Sequence, residues 1–164
     1  MVMSKIYLIG SLRDKHIPEI SNELREKTGY EVFDDWYAPG PRADDHWKEY
    51  ETARGRTYAE ALRGYAATHI FEFDKYHLDT SDIGVLVLPS GKSCHLELGY
   101  LAGLGKKTYV LMDKPDRWDV MYQFATGIAF NMDELVEMIN EKQTWTNGSR
   151  PFCRRVTSCS IHSY

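Results

Sequence analysis

The stretch DIGVLVLPSGKSCHLELGY, residues 82–100, carries the clearest indication of the fold of this chain. It opens on DIGVLVL, an apolar run without polar alternation, which is typical of a central strand in a parallel sheet. A turn of Pro89, Ser90 and Gly91 follows, and residues 93–104 then carry apolar side chains at helical spacing until Gly105. A buried strand that leads directly into a helix predicts a βα unit.

The segments on either side continue this alternation of strand and helix. Strands are predicted over 5–9, 31–37, 82–88, 107–112 and 127–130, and helices over 16–28, 45–73, 93–104 and 132–142. With right-handed crossovers, this order predicts an α/β protein with a doubly wound, flavodoxin-like sheet of five parallel strands and helices on both faces. In such sheets ligands bind at the carboxyl ends of the strands, so we expect the functional residues there.

Composition limits the possible partners. The chain has 164 residues, a net charge of −4 and a pI of about 5.9, which argues against binding a nucleic acid polymer. Its apolar runs are too short for a membrane span, and its start lacks the pattern of a signal peptide. The three cysteines have no metal-binding spacing and are typical of a reducing compartment, so we expect unreactive thiols and a cytoplasmic protein. We predict one domain over 1–143 and an irregular tail over 144–164, where the sequence becomes rich in Ser, Thr and Arg.

The triplet Gly91-Lys92-Ser93 resembles the end of a nucleotide-binding P-loop. A P-loop needs another glycine five residues before Gly91, and that position is Leu86, inside the predicted strand. An NTPase is therefore disfavoured. The turn can still hold one phosphate or a sugar hydroxyl, because Ser93 can cap the helix and the helix N-terminus offers free N–H groups.

Two carboxylates are candidates for chemistry. Glu97 shares a helix face with Leu101 and Leu104, which favours burial; an ordinary interaction with the helix dipole at the surface is the alternative. Asp74 follows Phe71 and Phe73 and precedes Tyr76. An aromatic setting of this kind would raise its pKa and favour a general acid, whereas a solvated helix-end aspartate is the alternative.

Three segments together resemble a known family. They are KIYLIGSLR at 5–13, the aspartates at 74, 79 and 82 with the strand after them, and SCHLELGYLAGLGKKTYVL at 93–111. Over roughly 5–140 the chain resembles the nucleoside 2-deoxyribosyltransferases and the related 2'-deoxynucleoside 5'-phosphate N-hydrolases. The resemblance implies cleavage of an N-glycosidic bond without a cofactor or metal.

The resemblance also assigns catalytic roles. Glu97 matches the nucleophile that forms a glycosyl-enzyme, and Asp74, eight residues before Asp82, matches the aspartate that holds the sugar and assists protonation of the base. Tyr7 matches the tyrosine that orients the nucleophile. Two carboxylates suit a retaining mechanism, in which water gives hydrolysis and a second base gives transfer. We expect the helix dipole to keep Glu97 ionised.

The end of the pocket that holds the sugar 5' position departs from the transferases. They carry an acidic residue six positions before the nucleophile, where this chain has Gly91, and the turn Gly10-Ser11-Leu12-Arg13 matches the monophosphate hydrolases instead. The sequence therefore favours a 5'-monophosphate, and a free nucleoside remains open. The predicted substrate-binding residues are Gly10, Ser11, Arg13, Trp36, Ser90, Gly91 and Ser93. Trp36 or Trp47 could stack on the base, although core packing is favoured for Trp47.

The partners follow from the same resemblance. The segment 118–122 corresponds to a loop that completes a neighbouring subunit's pocket, so we expect a dimer or higher homo-oligomer acting on a small nucleoside or nucleotide. Two other functions remain open. One is a sensor of the same fold that binds nucleotides without turnover, and the other is a glycosidase that cleaves NAD.

Overall fold

A single sheet of five parallel strands forms the centre of the protein, in the order β2-β1-β3-β4-β5. The computed structural model describes residues 4–115 and 118–141. The strands are β1 Lys5–Ile9, β2 Glu31–Phe33, β3 Ile83–Val87, β4 Lys107–Leu111 and β5 Gly127–Ala129. This order and direction confirm the predicted flavodoxin-like α/β architecture. β3 pairs with β1 and β4, and all five of its residues are buried, as its apolar sequence predicted.

The described residues also form six α-helices and two short 3₁₀ helices, of which all but the last α-helix lie between strands. The α-helices are α1 Ile17–Thr28, α2 Ala43–Ala53, α3 Tyr58–Leu62, α4 Tyr65–Thr80, α5 Lys92–Gly103 and α6 Met132–Asn140. The 3₁₀ helices are Asp35–Tyr37 and Val120–Phe124. Within the described ranges, no helix is both long enough and apolar enough to cross a membrane.

The helices cover the two faces of the sheet in two pairs. Successive strand residues point to opposite faces, and β1 shows this clearly. Ile6 and Leu8 pack in the cluster that contains residues of α1 and α6, whereas Tyr7 and Ile9 pack in the cluster that contains residues of α4 and α5. Tyr7 therefore faces the layer that carries both candidate carboxylates.

The prediction of one long helical region over 45–73 was wrong, because this part of the chain forms three separate helices, α2, α3 and α4. Gly55, with φ +73°, follows α2, a conformation that glycine adopts easily. Thr57 then starts α3 with a capping box that Glu60 completes, and Gly64 is the N-cap of α4, which continues to Thr80. The second strand is also shorter than predicted, because the chain turns into a 3₁₀ helix after Phe33. The predicted irregular tail, 144–164, lies outside the described residues.

Candidate active site

Tyr7, Asp74 and Glu97 come together between the sheet and the α4/α5 layer. Tyr7 is buried in β1, Asp74 lies in α4 and Glu97 in α5, and both carboxylates are half-buried. Burial raises the pKa of Tyr7 well above its usual value, and the nearby charges of Glu97 and then Asp74 raise it further. The three residues that the resemblance singles out are therefore electrostatic neighbours, although they are far apart in sequence.

Both carboxyl groups bind a proton more tightly than usual. Burial raises the pKa of Glu97 to about 7, with the charge of Asp74 as the second cause. Burial also raises the pKa of Asp74 to about 6. In the described residues, no lysine or arginine forms an ion pair with either carboxylate. A pair of this kind shares one proton in the neutral range.

The expectation that the helix dipole keeps Glu97 ionised is not supported. Glu97 is the sixth residue of α5, which places it in the second turn. The favourable effect of a helix N-terminus on an acid fades within the first turn, so burial and Asp74 determine the pKa of Glu97 instead.

The predicted surroundings of the two carboxylates are only partly correct. Leu101 is fully buried below Glu97, but Leu104 is 51% exposed at the end of the helix. Burial raises the pKa of Asp74, as predicted, but the aromatic side chains beside it in sequence are largely exposed. Phe71 is 65% exposed, Phe73 44% and Tyr76 63%. Asp74 lies instead on the side of α4 that faces Tyr7.

The N-terminus of α5 is open. Gly91, not Ser93, is the N-cap, so the prediction that Ser93 caps this helix was wrong, and no described side chain caps it. A Cβ atom built on Gly91 would meet no described heavy atom within 4 Å. Ser93 lies in the first turn of the helix. The first N–H groups of α5 are therefore free to bind an acceptor.

The turn after β1 is closely packed. A Cβ atom on Gly10 would lie 2.4 Å from Cδ1 of Ile17 and 3.4 Å from the Trp36 ring, so only glycine fits there without a shift. The hydroxyl of Ser11 accepts a hydrogen bond from the backbone N–H of Arg13 at 3.2 Å. The Arg13 guanidinium lies 3.5 Å from the Asp45 carboxylate, which is long for an ion pair. Both groups are exposed, so this ion pair is weak.

The two candidate stacking tryptophans differ in their environments. Trp36 is fixed at the carboxyl end of β1, where its Nε1 donates to the Leu8 carbonyl at 2.7 Å. Trp47 packs edge-on against Tyr58. It lines a cavity of about 360 Å³ whose lining includes none of the predicted site residues. Trp36 remains the candidate for the base. Trp47 is not among the residues of the two core clusters, so the core packing that the sequence favoured for it is not borne out.

Two residues of α5 were not recognised as part of the site. Cys94 is buried, and its thiol donates to the Gly10 carbonyl at 3.2 Å. His95 lies 2.8 Å from the Gly91 carbonyl through Nδ1 and 2.9 Å from the Tyr122 hydroxyl through Nε2. No motif in one sequence predicts either contact. The only available signal was that Cys94 lies one helical turn before Glu97.

Similar solved structures share this architecture. The 2-deoxyribosyltransferase of Bacillus psychrosaccharolyticus superimposes with a TM-score of 0.58 at 18% identity, over 81% of this chain and 90% of its own. A conserved protein from Enterococcus faecalis V583 has a TM-score of 0.57 at 14% identity, over 84% of this chain and 98% of its own. The CMP N-glycosidase of Clostridium botulinum has a TM-score of 0.50 at 14% identity, over 84% of this chain and 100% of its own.

These comparisons bear on the fold. Neither a protein-family model nor a curated protein matches the sequence. The structural neighbours support the resemblance to nucleoside 2-deoxyribosyltransferases that three segments of the sequence indicated. At identities this low, they show a shared fold, and activity has to be inferred from the site itself.

Proposed function

We propose that the protein is a member of the nucleoside 2-deoxyribosyltransferase family that cleaves the N-glycosidic bond of 2'-deoxynucleosides or their 5'-monophosphates. The observation that carries this proposal is the cluster of Glu97, Asp74 and Tyr7, in which two carboxyl groups with raised pKa values lie near each other and form no ion pair with a cation of the described residues. Strongly perturbed carboxyl pairs of this kind are a feature of acid–base sites. A sensor that only binds nucleotides would have no need of the pair.

The shared proton suits a retaining two-step mechanism. In the first step a carboxylate oxygen of Glu97 bonds to C1' of the sugar, the bond from C1' to the base nitrogen breaks, and the base leaves with a proton. Glu97 attacks as the carboxylate, while the one proton that the pair holds near neutral pH is transferred through Asp74 to the leaving base. Proton transfer and bond cleavage are then coupled.

The second step releases the sugar. Water attacks C1' of the glycosyl-enzyme, Asp74 accepts the proton of that water, and the bond between C1' and Glu97 breaks. With a second base in place of water, the same step gives a new nucleoside. The neighbouring folds include both a 2-deoxyribosyltransferase and a CMP N-glycosidase, so the fold is compatible with either outcome.

Tyr7 acts as a neutral hydrogen-bond donor. Its strongly raised pKa keeps the hydroxyl protonated throughout the working range. A protonated hydroxyl can donate to the Glu97 carboxylate and hold it in the orientation that attack on C1' requires. The Tyr7 ring packs against the Phe33 ring, and the two ring centroids are 5.1 Å apart.

We favour a 5'-monophosphate as the substrate. The uncapped N-terminus of α5 offers N–H groups to a phosphate, and the open space beside Gly91 is where an acidic side chain of the transferases would repel one. Arg13 can add a charged contact by exchanging its weak partner Asp45 for the phosphate. Ser11, Ser90 and Ser93 provide hydroxyl groups around the same end of the pocket.

A second copy of the chain is proposed to complete the pocket. The segment that includes the 3₁₀ helix Val120–Phe124 exposes large apolar side chains to an unusual degree. These are Trp118 at 91%, Val120 at 73%, Met121 at 58% and Phe124 at 69%. Such a surface fits contact with a neighbouring subunit in a homodimer or larger homo-oligomer. We also propose a cytoplasmic location for the protein, because its cysteines are typical of a reducing compartment.

Chromatography of the reaction products tests the proposal. Purified protein is incubated with each deoxynucleoside, each deoxynucleoside 5'-monophosphate and NAD, with and without a free acceptor base. Free base from monophosphates alone would establish a nucleotide N-hydrolase, and a new nucleoside formed only with acceptor base would establish a transferase. Release of nicotinamide from NAD would favour the NAD glycosidase. Binding of nucleotides without any product would favour the sensor.

A further inference from the structure

We propose that Cys94 is a positioning residue that sets the distance between the turn of residues 10–13 and the nucleophile Glu97. This inference rests on the proposed function, because it assigns the thiol a role in aligning that substrate. The roles implied by the resemblance do not include this residue.

The thiol forms a direct bridge between the two parts of the site. Cys94 is 5% exposed, and its Sγ lies 3.2 Å from the carbonyl oxygen of Gly10, to which it donates. This contact joins the first turn of α5 to the end of β1, across 84 residues of sequence. An S–H group is a weak donor, so the turn is held by this hydrogen bond together with the packing of the buried thiol against it.

The turn is braced on the opposite side as well. Gly10 lies so close to Ile17 and to the Trp36 ring that it has no room for a Cβ atom. Trp36 is itself anchored through its hydrogen bond to the Leu8 carbonyl. Gly10 is therefore held between α1 and Trp36 on one side and the Cys94 thiol on the other.

A shift of the α5 backbone at Cys94 would also move Glu97. Glu97 is one helical turn after Cys94, on the same side of α5. The two groups are close enough that the charge of Glu97, after burial, raises the pKa of the thiol. The thiol therefore stays neutral and keeps the hydrogen that it donates to Gly10.

The distance between the turn of residues 10–13 and Glu97 matters most for a substrate that contacts both. The 5'-phosphate would bind the turn and the start of α5, while C1' would lie at Glu97. A small error in the separation of these contacts misaligns the reacting atoms and slows the reaction. A nucleoside without the phosphate makes no use of the turn and should be less affected.

Kinetics of Cys94→Ala and Cys94→Ser test this inference. For Cys94→Ala we expect kcat on a deoxynucleoside 5'-monophosphate to fall by about tenfold. The fall on the matching deoxynucleoside should be clearly smaller, and Cys94→Ser, which keeps a donor, should recover part of the loss. Leu101→Val is the control, since it opens a small space in the same helix without touching the turn. Leu101→Val should change kcat by the same factor on the monophosphate and on the nucleoside.

Hydrogen–deuterium exchange provides a readout that does not depend on activity. In Cys94→Ala the amides of residues 10–13 should exchange faster, while those of β3 remain protected. Equal losses on the two substrates, or unchanged exchange in the turn, would overturn the role of Cys94 and leave the proposed function intact. Wild-type protein that releases no base from any substrate would overturn the proposed function itself.

Discussion

Asp74 of α4 lies close enough to Glu97 of α5 for its negative charge to raise the pKa of Glu97. Burial is the larger cause, and it raises the pKa of both groups, to about 7 for Glu97 and about 6 for Asp74. The pair therefore holds one proton near neutral pH. An N-glycosidase needs this charge state, with one carboxylate to attack C1' and one proton for the leaving base.

We predict a bell-shaped dependence of kcat/KM on pH, with its maximum between about 6 and about 7. At lower pH both carboxyl groups are protonated and no nucleophile is present. At higher pH both are ionised and no proton is available for the base. Initial rates of base release across the pH range measure this directly. A rate that stays constant from acidic to alkaline pH would be inconsistent with the shared proton.

We predict that Glu97→Gln makes the folded protein more stable at pH 8. The folded state raises the pKa of Glu97 from 4.5 to about 7 and so binds its proton more tightly than the unfolded chain. The free energy of unfolding therefore falls as pH rises through this window. Glutamine removes that loss, which we expect to be about 1–2 kcal/mol at pH 8 for this half-buried group.

Urea unfolding of both proteins at pH 4.5 and pH 8 measures this difference. The gain should be present at pH 8 and much smaller at pH 4.5, where wild-type Glu97 is protonated in the folded state and about half protonated in the unfolded chain. A Glu97→Gln protein that is less stable than wild type at pH 8 would show that ionised Glu97 is not disfavoured by its environment.

We predict that Tyr7→Phe lowers kcat by about ten- to a hundredfold while the fold is kept. The ring still packs against Phe33, and only the hydroxyl that would orient Glu97 is lost. Tyr109→Phe is the matched control, because Tyr109 is equally buried and its hydroxyl donates to the Met138 carbonyl at 3.1 Å on the other face of the sheet. It should lose about 1 kcal/mol of stability and keep its kcat. Similar kcat values for the two variants would remove the assigned role of Tyr7.

We predict that Gly91→Asp shifts the preference from 5'-monophosphates towards nucleosides. An aspartate fits at this position, since a Cβ atom there meets open space, and its charge would repel the phosphate. KM for the monophosphate should rise about tenfold or more, and KM for the nucleoside should change little. Gly103→Asp adds the same charge at the other end of α5, again in open space, and should leave both values unchanged. An equal response of both variants would argue against a phosphate site at Gly91.

The elements that contain the site were predictable because their patterns are strong. The apolar run before Pro89 defines β3, and the alternation of strands and helices gives the sheet order. Glu97 could be selected as a candidate by its place in the helix after that strand. These are local patterns, so they survive in a single sequence.

What was missed depends partly on local signals and partly on contacts between distant segments. The division of the helical region 45–73 has local signals, namely Gly55 after α2 and the capping box of Thr57 and Glu60 that begins α3, but they lie within a stretch of helix-forming residues. The exposure of Phe71 and Leu104 depends on which sides of α4 and α5 are covered by other elements, which the spacing of apolar residues did not indicate. The bridge from Cys94 to Gly10 spans 84 residues and has no local signature.

The rate of base release by Glu97→Gln, compared with wild type on the best deoxynucleoside 5'-monophosphate or deoxynucleoside, tests the central claim most directly. Glutamine keeps the size of the side chain but cannot form the glycosyl-enzyme, so we predict a loss of at least about a thousandfold. Exchange protection in β3 should remain, which shows that the fold is intact. A Glu97→Gln protein that releases base within about tenfold of the wild-type rate would show that Glu97 is not the nucleophile.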